Sequence, residues 1–483
     1  MPNITVNERP IVPFDGSPWI WSGLLLLPLA AVLLRNAFFS KRLPVPVIYS
    51  EVKDTQARKS KYLQFPRETL GHGYKTFGSA IWGLDTSQGI KLVIPTTYLD
   101  ELKSHPSLSF TESISNDAMK EYTGVGGLPD NIVQIFKAKF NPTVAAYLPY
   151  LQETVEKELA DIFPYEQDWT ETSVYHKVTR LVGRVSTRAF YGEAASRDEA
   201  WLELAQAYIE TVLEYLQALK PWPEALRPVA RFFLPQRAKL LKQWNQAHRH
   251  LSATLVARAA SNSRNDPPSV IDHIIDSNPH VKVDELIHTQ MALVVAGIHT
   301  TSAALTQLLF DMAAHPEQSR ELRDEVDGVF DGHWTKQSLD QLKKLDSWMK
   351  ESQRMNSADL TTFQRQALKP LRLTSGLSID KGTRLEIPTA AIHFDDMYFS
   401  NASKFEPLRF YEMRKEEPAK HQYISTGKND LAWGYGRHAC PGRFFAHVEM
   451  KIFMAEFVRR WDVKMKDGLP RHRNLEFEAN VSV

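Results

Sequence analysis

The chain has 483 residues, 43% of them hydrophobic, which is enough to bury a large core. Lys and Arg number 58 against 57 Asp and Glu, and a net charge of +1 without a long basic block excludes an electrostatic footprint for nucleic acid. Cys440 is the single cysteine, so no intramolecular disulfide can form and a reducing, cytosol-facing site is the simpler reading.

Pro18 to Leu34 carries no charge and sits near the lower limit of about 17 apolar residues for a membrane-spanning helix. Trp19 and Trp21 suit one membrane interface, while Arg35, Lys41 and Arg42 follow the other end and favour leaving it in the cytosol. A cleaved signal peptide would carry its positive charge ahead of the apolar stretch, whereas here the charge cluster follows it. The expected organisation is a short lumenal N-terminus at 1–17, a transmembrane anchor at 18–34, a basic, proline-rich linker at 35–50 stiffened by Pro44 and Pro46, and a body at 51–483. Asn3-Ile4-Thr5 is a glycosylation sequon on what would be the lumenal side.

Residues 145–260 read as amphipathic helices interrupted by Pro221, Pro223, Pro228 and Pro235, and Ser261 to Pro268 reads as a loop. From Asp284 to about Ala313 runs a long helix, opened by two acids and ended by His315-Pro316. Its centre is Ala296-Gly297-Ile298-His299-Thr300-Thr301-Ser302. Helical spacing places Ala296, Gly297, Thr300 and Thr301 on one face, a small groove with two hydroxyls beside it. A mid-helix glycine costs about 1 kcal/mol, so a close approach is expected to offset it, and dioxygen fits such a groove. In a plain core helix the same hydroxyls would bond to preceding carbonyls.

Glu351 and Arg354 fall one turn apart, and Phe405-Glu406-Pro407-Leu408-Arg409-Phe410 supplies a second arginine. The glycine run Gly124-Val125-Gly126-Gly127 lacks the spacing and setting of a nucleotide-binding loop, so electrons for any redox reaction must come from another protein. Last comes Trp433-Gly434-Tyr435-Gly436-Arg437-His438-Ala439-Cys440-Pro441-Gly442, followed by a helix-like segment from Arg443. Gly434 and Gly436 allow tight turns before the sulfur, Gly442 leaves room for a flat partner, and amides at the next helix start favour thiolate over thiol.

This last run resembles the Phe-x-x-Gly-x-Arg-x-Cys-x-Gly loop of the haem-thiolate monooxygenases, the cytochrome P450 superfamily, with Trp433 in place of phenylalanine. The resemblance implies a mainly α fold with small β-sheets in which Cys440 is the axial ligand of haem b iron, so that 51–483 would be one haem-thiolate domain. It implies that Arg437, and Arg365 in the stretch Ser357 to Arg365 through the active site, hold haem propionates. The family's Trp-x-x-x-Arg helix is not visible at 131–139, leaving Lys137 or Lys139 as substitutes. Glu351, Arg354 and Arg409 would form the buried structural triad, with Leu408 replacing the usual glutamate. Ala391-Ile392-His393-Phe394-Asp395 is a further family marker without a catalytic task.

The centre of the long helix is similar to the family's Ala-Gly-x-acid-Thr-Thr stretch, in which Thr300 would steady bound dioxygen beside Gly297. His299 replaces the acid, which puts the usual proton relay in doubt, although an imidazole with a reference pKa of about 6.5 also passes protons. The substrate candidates Val294, Val295, Ile298, Leu360 and Phe363 are apolar, so an oily substrate is expected. By resemblance, residues 219–236 with Trp222, Phe232 and Phe233 either lie over the substrate entrance and dip into the membrane, or form a connector packed inward. The family reading implies a single-pass protein of the endoplasmic reticulum membrane with its catalytic domain in the cytosol. It also implies dioxygen as co-substrate and an NADPH-cytochrome P450 reductase that docks near Lys350, Lys428 and Arg443. The style of the motifs resembles filamentous-fungal members that oxidise terpenoids, indole diterpenes or meroterpenoids. Two alternatives remain: a haem-thiolate isomerase or dehydratase that needs no reductase, and a haem-binding sensor or electron carrier.

Overall fold

A computed structural model describes residues 44–163, 165, 168–261, 266–466 and 469–482. The expected anchor at 18–34 lies outside the described residues. The long helices are α1 Pro66–Phe77, α2 Leu148–Ile162, α3 Val174–Phe190, α4 Glu199–Leu219, α5 Pro235–Ser261, α6 Val283–Ala314, α7 Pro316–Val329, α8 Lys343–Met355 and α9 Arg443–Arg460. Their ends follow local chemistry. Asp198 accepts the Trp201 amide at 3.1 Å to cap α4, and Pro316 stops α6 while serving as the first residue of α7, where its missing N–H costs nothing.

The strands are β1 Trp82–Thr86, β2 Gly89–Val93, β3 Leu108–Ser109, β4 Thr362–Ala367, β5 Leu371–Arg372, β6 Ser378–Ile379, β7 Arg384–Ile387, β8 Leu475–Phe477 and β9 Asn480–Ser482. One five-stranded sheet has the order β1-β2-β7-β4-β3, with β2 and β7 parallel and its other neighbours antiparallel. The register slips between Thr362 and Arg365, and Phe363 takes φ 55° there, so a bulge re-aims the strand as it enters the interior. The chain is thus mainly α with small sheets, as its motifs implied.

The main core joins α2, α3, α6 and α9 through residues such as Leu151, Val182, Ile287, Leu305 and Phe453. Among the described residues α6 is the one helix long and apolar enough to cross a membrane, and most of it is buried inside the fold. In the 219–236 segment the inward-packed alternative is overturned. Trp222, Leu226, Val229, Phe232 and Phe233 all point outward, Phe233 with 79% of its surface exposed. The segment is held from below by polar contacts: Lys220 pairs with Glu478 at 2.6 Å, and Arg227 donates to the Ser87 carbonyl at 2.6 Å.

Helix α8 carries the strongest internal clamp. Glu351 has no exposed surface and receives Arg354 Nε and Nη2 at 2.8 Å each, Arg409 Nε at 3.1 and 3.2 Å, and the Glu406 amide at 2.9 Å. Arg354 also donates to the Ala402 carbonyl at 2.8 Å and to that of His393. A fully buried carboxylate is tolerated here because five hydrogen bonds and two guanidiniums replace water. Glu351→Ala leaves both arginines buried without their counter-charge at a cost of about 3–5 kcal/mol. The expected result is a sharply lower Tm and little folded protein, and a Tm equal to the parent's would refute the clamp.

Candidate active site

The site is built around the turn that ends in Cys440. The Cys440 amide donates to the Trp433 carbonyl at 2.8 Å, closing the loop on itself. The path between them needs φ +75° at Gly434 and +68° at Gly436, which glycine adopts without strain. Trp433 Nε1 donates to the Tyr423 carbonyl at 2.8 Å, and Asn141 Nδ2 caps the Pro441 carbonyl at 3.1 Å. Gly442 caps the start of α9, and a Cβ there would meet the Cys440 sulfur in ordinary contact at 4.0 Å.

Helix α8 holds this loop from the other side. His393 Nδ1 donates to the Arg354 carbonyl at 3.1 Å while its Nε2 faces the Leu431 amide at 3.5 Å, a neutral imidazole whose pKa burial pushes down to about 4. The family marker at 391–395 therefore has a structural task. Asp346 of α8 accepts His447 at 2.9 Å and Lys451 at 3.3 Å from α9, together with the Tyr423 amide at 2.9 Å and Arg414 at 2.8 Å. Burial alone would raise this carboxyl, yet Lys451, His447 and Arg414 hold it well below the usual range.

Cys440 is partly buried and takes backbone hydrogen bonds from Gly442 and Arg443. Burial nevertheless pushes the thiol above its ordinary value; the two amides and the Arg443 guanidinium offset this only in part. The amides favour thiolate, as expected, but burial opposes them more strongly, and a metal cation against the sulfur would tip the balance to the ligand form.

Beside the loop lies a set of cations with too few anions. Arg365 is 2% exposed, gives Nη1 to the Gln364 carbonyl at 2.9 Å, lies over the Phe363 ring at 4.1 Å, and leaves Nη2 buried with no partner. Burial, then repulsion from Arg437, brings its pKa down to about 9. Arg437 is exposed and donates Nε to His438 Nε2 at 2.9 Å, and His438 is pushed down to about 4 by burial and by Arg365 and Arg437. Lys137 reaches the Arg437 carbonyl, whereas Lys139 turns to Ser277 Oγ at 2.8 Å. Of the two lysines considered, Lys137 is therefore the one at the loop. A thiol with two amides, and a buried guanidinium lacking an anion, fit a flat metal cofactor that carries carboxylates.

In α6 the residues Val294–His299 form a π-turn, a local widening common at functional sites. Ala296 and Thr300 are exposed on a helix whose other residues are mostly buried, and Thr300 Oγ1 donates to the Ala296 carbonyl at 2.7 Å. Thr301 is buried, so only one hydroxyl opens on that face. Gly297 is also corrected: a Cβ there would lie 2.7 Å from the Phe190 ring, so the glycine is required by packing rather than by a dioxygen groove. Phe190 belongs to a cluster with Phe136, Phe140 and Phe445, with neighbouring ring centres 5.2–6.4 Å apart, that locks α6 against the start of α9. The spacing of these phenylalanines in the chain carried no such signal.

The substrate candidates fare unevenly. Val294 and Ile298 pack into the main core, and Leu360 and Phe363 pack beneath the sheet, so only Val295 keeps partial exposure. Which side of a helix or a bulged strand is buried depends on what packs against it, which composition does not resolve. Asp359 in the same stretch is partly buried, and burial, then Asp117, push its carboxyl up to about 6. Lys350, considered for docking, is 1% exposed and paired with Asp430, because α8 turns it into the core. Arg443 is half-buried on the Cys440 carbonyl at 2.9 Å, while Lys428 is exposed and paired with Asp100.

A cysteine loop at a helix start, clamped by a buried Glu-Arg-Arg set, defines a haem-thiolate enzyme. The chain belongs to the family Cytochrome P450, whose model matches residues 134–481, and it is accordingly a haem-dependent oxidoreductase of the monooxygenase type. It is 32% identical over 434 residues to "Cytochrome P450 monooxygenase AN1598" of Emericella nidulans, covering 85% of this chain and 80% of that protein. It is 30% identical over 497 residues to "Cytochrome P450 monooxygenase braC" of Annulohypoxylon truncatum, covering 96% of each. It is 28% identical over 495 residues to "Ent-kaurene oxidase" of Gibberella intermedia, covering 98% of this chain and 94% of that protein.

The raised thiol gives a signed test in the haem-free protein. Because the thiolate is the reactive form, the alkylation rate of Cys440 should climb with pH and reach half its plateau at a higher pH than free cysteine does. A midpoint at or below that of free cysteine would show that the amides outweigh burial.

Proposed function

We propose that this protein is anchored in the endoplasmic reticulum membrane through residues 18–34, with its catalytic domain in the cytosol. Its reaction is the hydroxylation or multistep oxidation of an apolar, terpenoid-derived intermediate of fungal secondary metabolism, using dioxygen and electrons from NADPH-cytochrome P450 reductase. The observation that carries the reading is the combination of a clamped cysteine loop with a buried guanidinium that lacks an anion. The likeness to an ent-kaurene oxidase over nearly the whole chain favours a terpenoid, and the outward apolar patch from Trp222 to Phe233 favours contact with a membrane.

In this reading the Cys440 sulfur would hold the iron of the haem, steadied by the Gly442 and Arg443 amides. Arg365, whose Nη2 lacks a partner, with Arg437 and Lys137 beside it, would hold the carboxylates of the cofactor. When bound, the haem supplies the activation of dioxygen by two electrons and two protons that places one oxygen atom in a carbon–hydrogen bond. Thr300 presents a hydroxyl on the open face of α6, where it orients a proton donor, and Ala296 beside it keeps that space small. Of the docking candidates, Lys428 is the exposed one, and its pairing with Asp100 leaves it at the surface near the loop for reductase docking.

The deciding test is the carbon monoxide difference spectrum of the reduced, membrane-expressed protein beside Cys440→Ser. The red-shifted thiolate band should appear in the parent and vanish in the variant; haem binding without that band in the parent would overturn the function. Thr300→Ala should keep the band but divert NADPH-derived electrons to hydrogen peroxide, and unchanged coupling would remove Thr300 from the reaction.

A further inference from the structure

His299 stands where the family carries an acid, and the fold gives it a partner on another helix. Tyr175, near the start of α3, places its hydroxyl 2.9 Å from His299 Nδ1. The two rings meet nearly edge to face, with centres 6.4 Å apart at 81°. Both side chains are half-buried, and no other described side chain hydrogen-bonds the imidazole. Next to Tyr175 the surface carries exposed His176, which faces Glu210 at 3.8 Å, and Gln206, which bonds both. Polar groups at the surface of α3 and α4 thus lie beside Tyr175, whose ring meets that of His176 at 5.8 Å, and Tyr175 in turn reaches the residue that precedes Thr300.

We propose that Tyr175 is a positioning residue for proton delivery: its phenol donates to His299 Nδ1, fixes the Nε2–H tautomer, and so presents the imidazole proton to the open face of α6 beside Thr300. The inference rests on the monooxygenase reading, whose reaction consumes protons. The transfer balances simply. A proton from surface water enters the phenol oxygen, the phenol proton passes to Nδ1, and the Nε2 proton leaves to the groove; exchange with water at the half-exposed ring restores the tautomer. Burial keeps the imidazole neutral by lowering its pKa. It also raises the Tyr175 phenol, an effect that Thr179 partly offsets and Glu210 reinforces, so neither group carries charge at rest.

The test uses the full-length protein with 15N-labelled histidine, the His299 signals being those lost in His299→Gln. The parent should show predominantly Nε2–H, and Tyr175→Phe, which keeps the ring, should move His299 toward a mixture of tautomers. The same variant should retain the thiolate carbon monoxide band and release several-fold more hydrogen peroxide per NADPH. His299→Gln should slow product formation by up to roughly 10²-fold, the low end of what a positioned proton donor contributes. In a His299→Asp background, where a carboxylate has no tautomer to fix, adding Tyr175→Phe should not change coupling further. An unchanged tautomer or unchanged coupling in Tyr175→Phe overturns the assignment, as does an equal loss in the aspartate background, which would mark Tyr175 as structural only. A parent without the thiolate band instead overturns the monooxygenase reading itself, whatever the tautomer.

Discussion

A carboxylate sealed away from water is the constraint on which the rest of this structure depends. Glu351 is fully buried, and it is tolerable there only because Arg354 and Arg409 converge on it with hydrogen bonds of 2.8–3.2 Å. The requirement is directional, since a guanidinium offers its donors in a fixed fork. Satisfying Glu351 therefore fixes where residues 393–409 lie against α8. Through His393 and Asp346 the same helix then fixes the loop before Cys440 and the helix after it. One unstable alternative, an unpaired buried charge, is what makes the cysteine loop rigid.

The opposite condition holds on the cofactor side. Arg365 is buried without a full set of partners, Arg437 lies close enough to depress it, and the Cys440 thiol is raised by burial. Each of these is unfavourable for the protein alone and each is relieved by a ligand of the complementary kind, an anion for the guanidiniums and a metal cation for the sulfur. Arg354 and Arg365 lie eleven positions apart, yet one is saturated by protein groups and the other is not. The difference separates a structural arginine from one reserved for a ligand more clearly than residue type does.

Helix α6 shows how packing and openness are divided along one element. Gly297 is filled by the Phe190 ring, Ile298 and Val294 enter the core, and Ala296 with Thr300 remain open. The phenylalanine cluster from Phe136 to Phe445 transmits this placement to the start of α9, so the open face and the sulfur are held by a common set of rings. His299, half-buried between Ile298 and Thr300 in sequence, engages Tyr175 of α3 through Nδ1.

By itself the sequence determined what local spacing can encode. A lone cysteine between glycines at a helix start, a Glu and an Arg one turn apart, and a small-residue break in a long apolar helix are all patterns within a few residues, and each named its element and family. It also named Arg365 and Arg437 as cations, because a motif preserves residue type. Only the tertiary structure decided which way each side chain faces. It turned Lys350 inward to Asp430, gave Gly297 to Phe190, buried Val294, Ile298, Leu360 and Phe363, and exposed Trp222, Phe232 and Phe233. It also brought Tyr175 to His299 across 124 positions of chain. The physical reason is that facing depends on what packs opposite. That partner comes from a distant part of the chain, through contacts that leave no periodic trace in either segment.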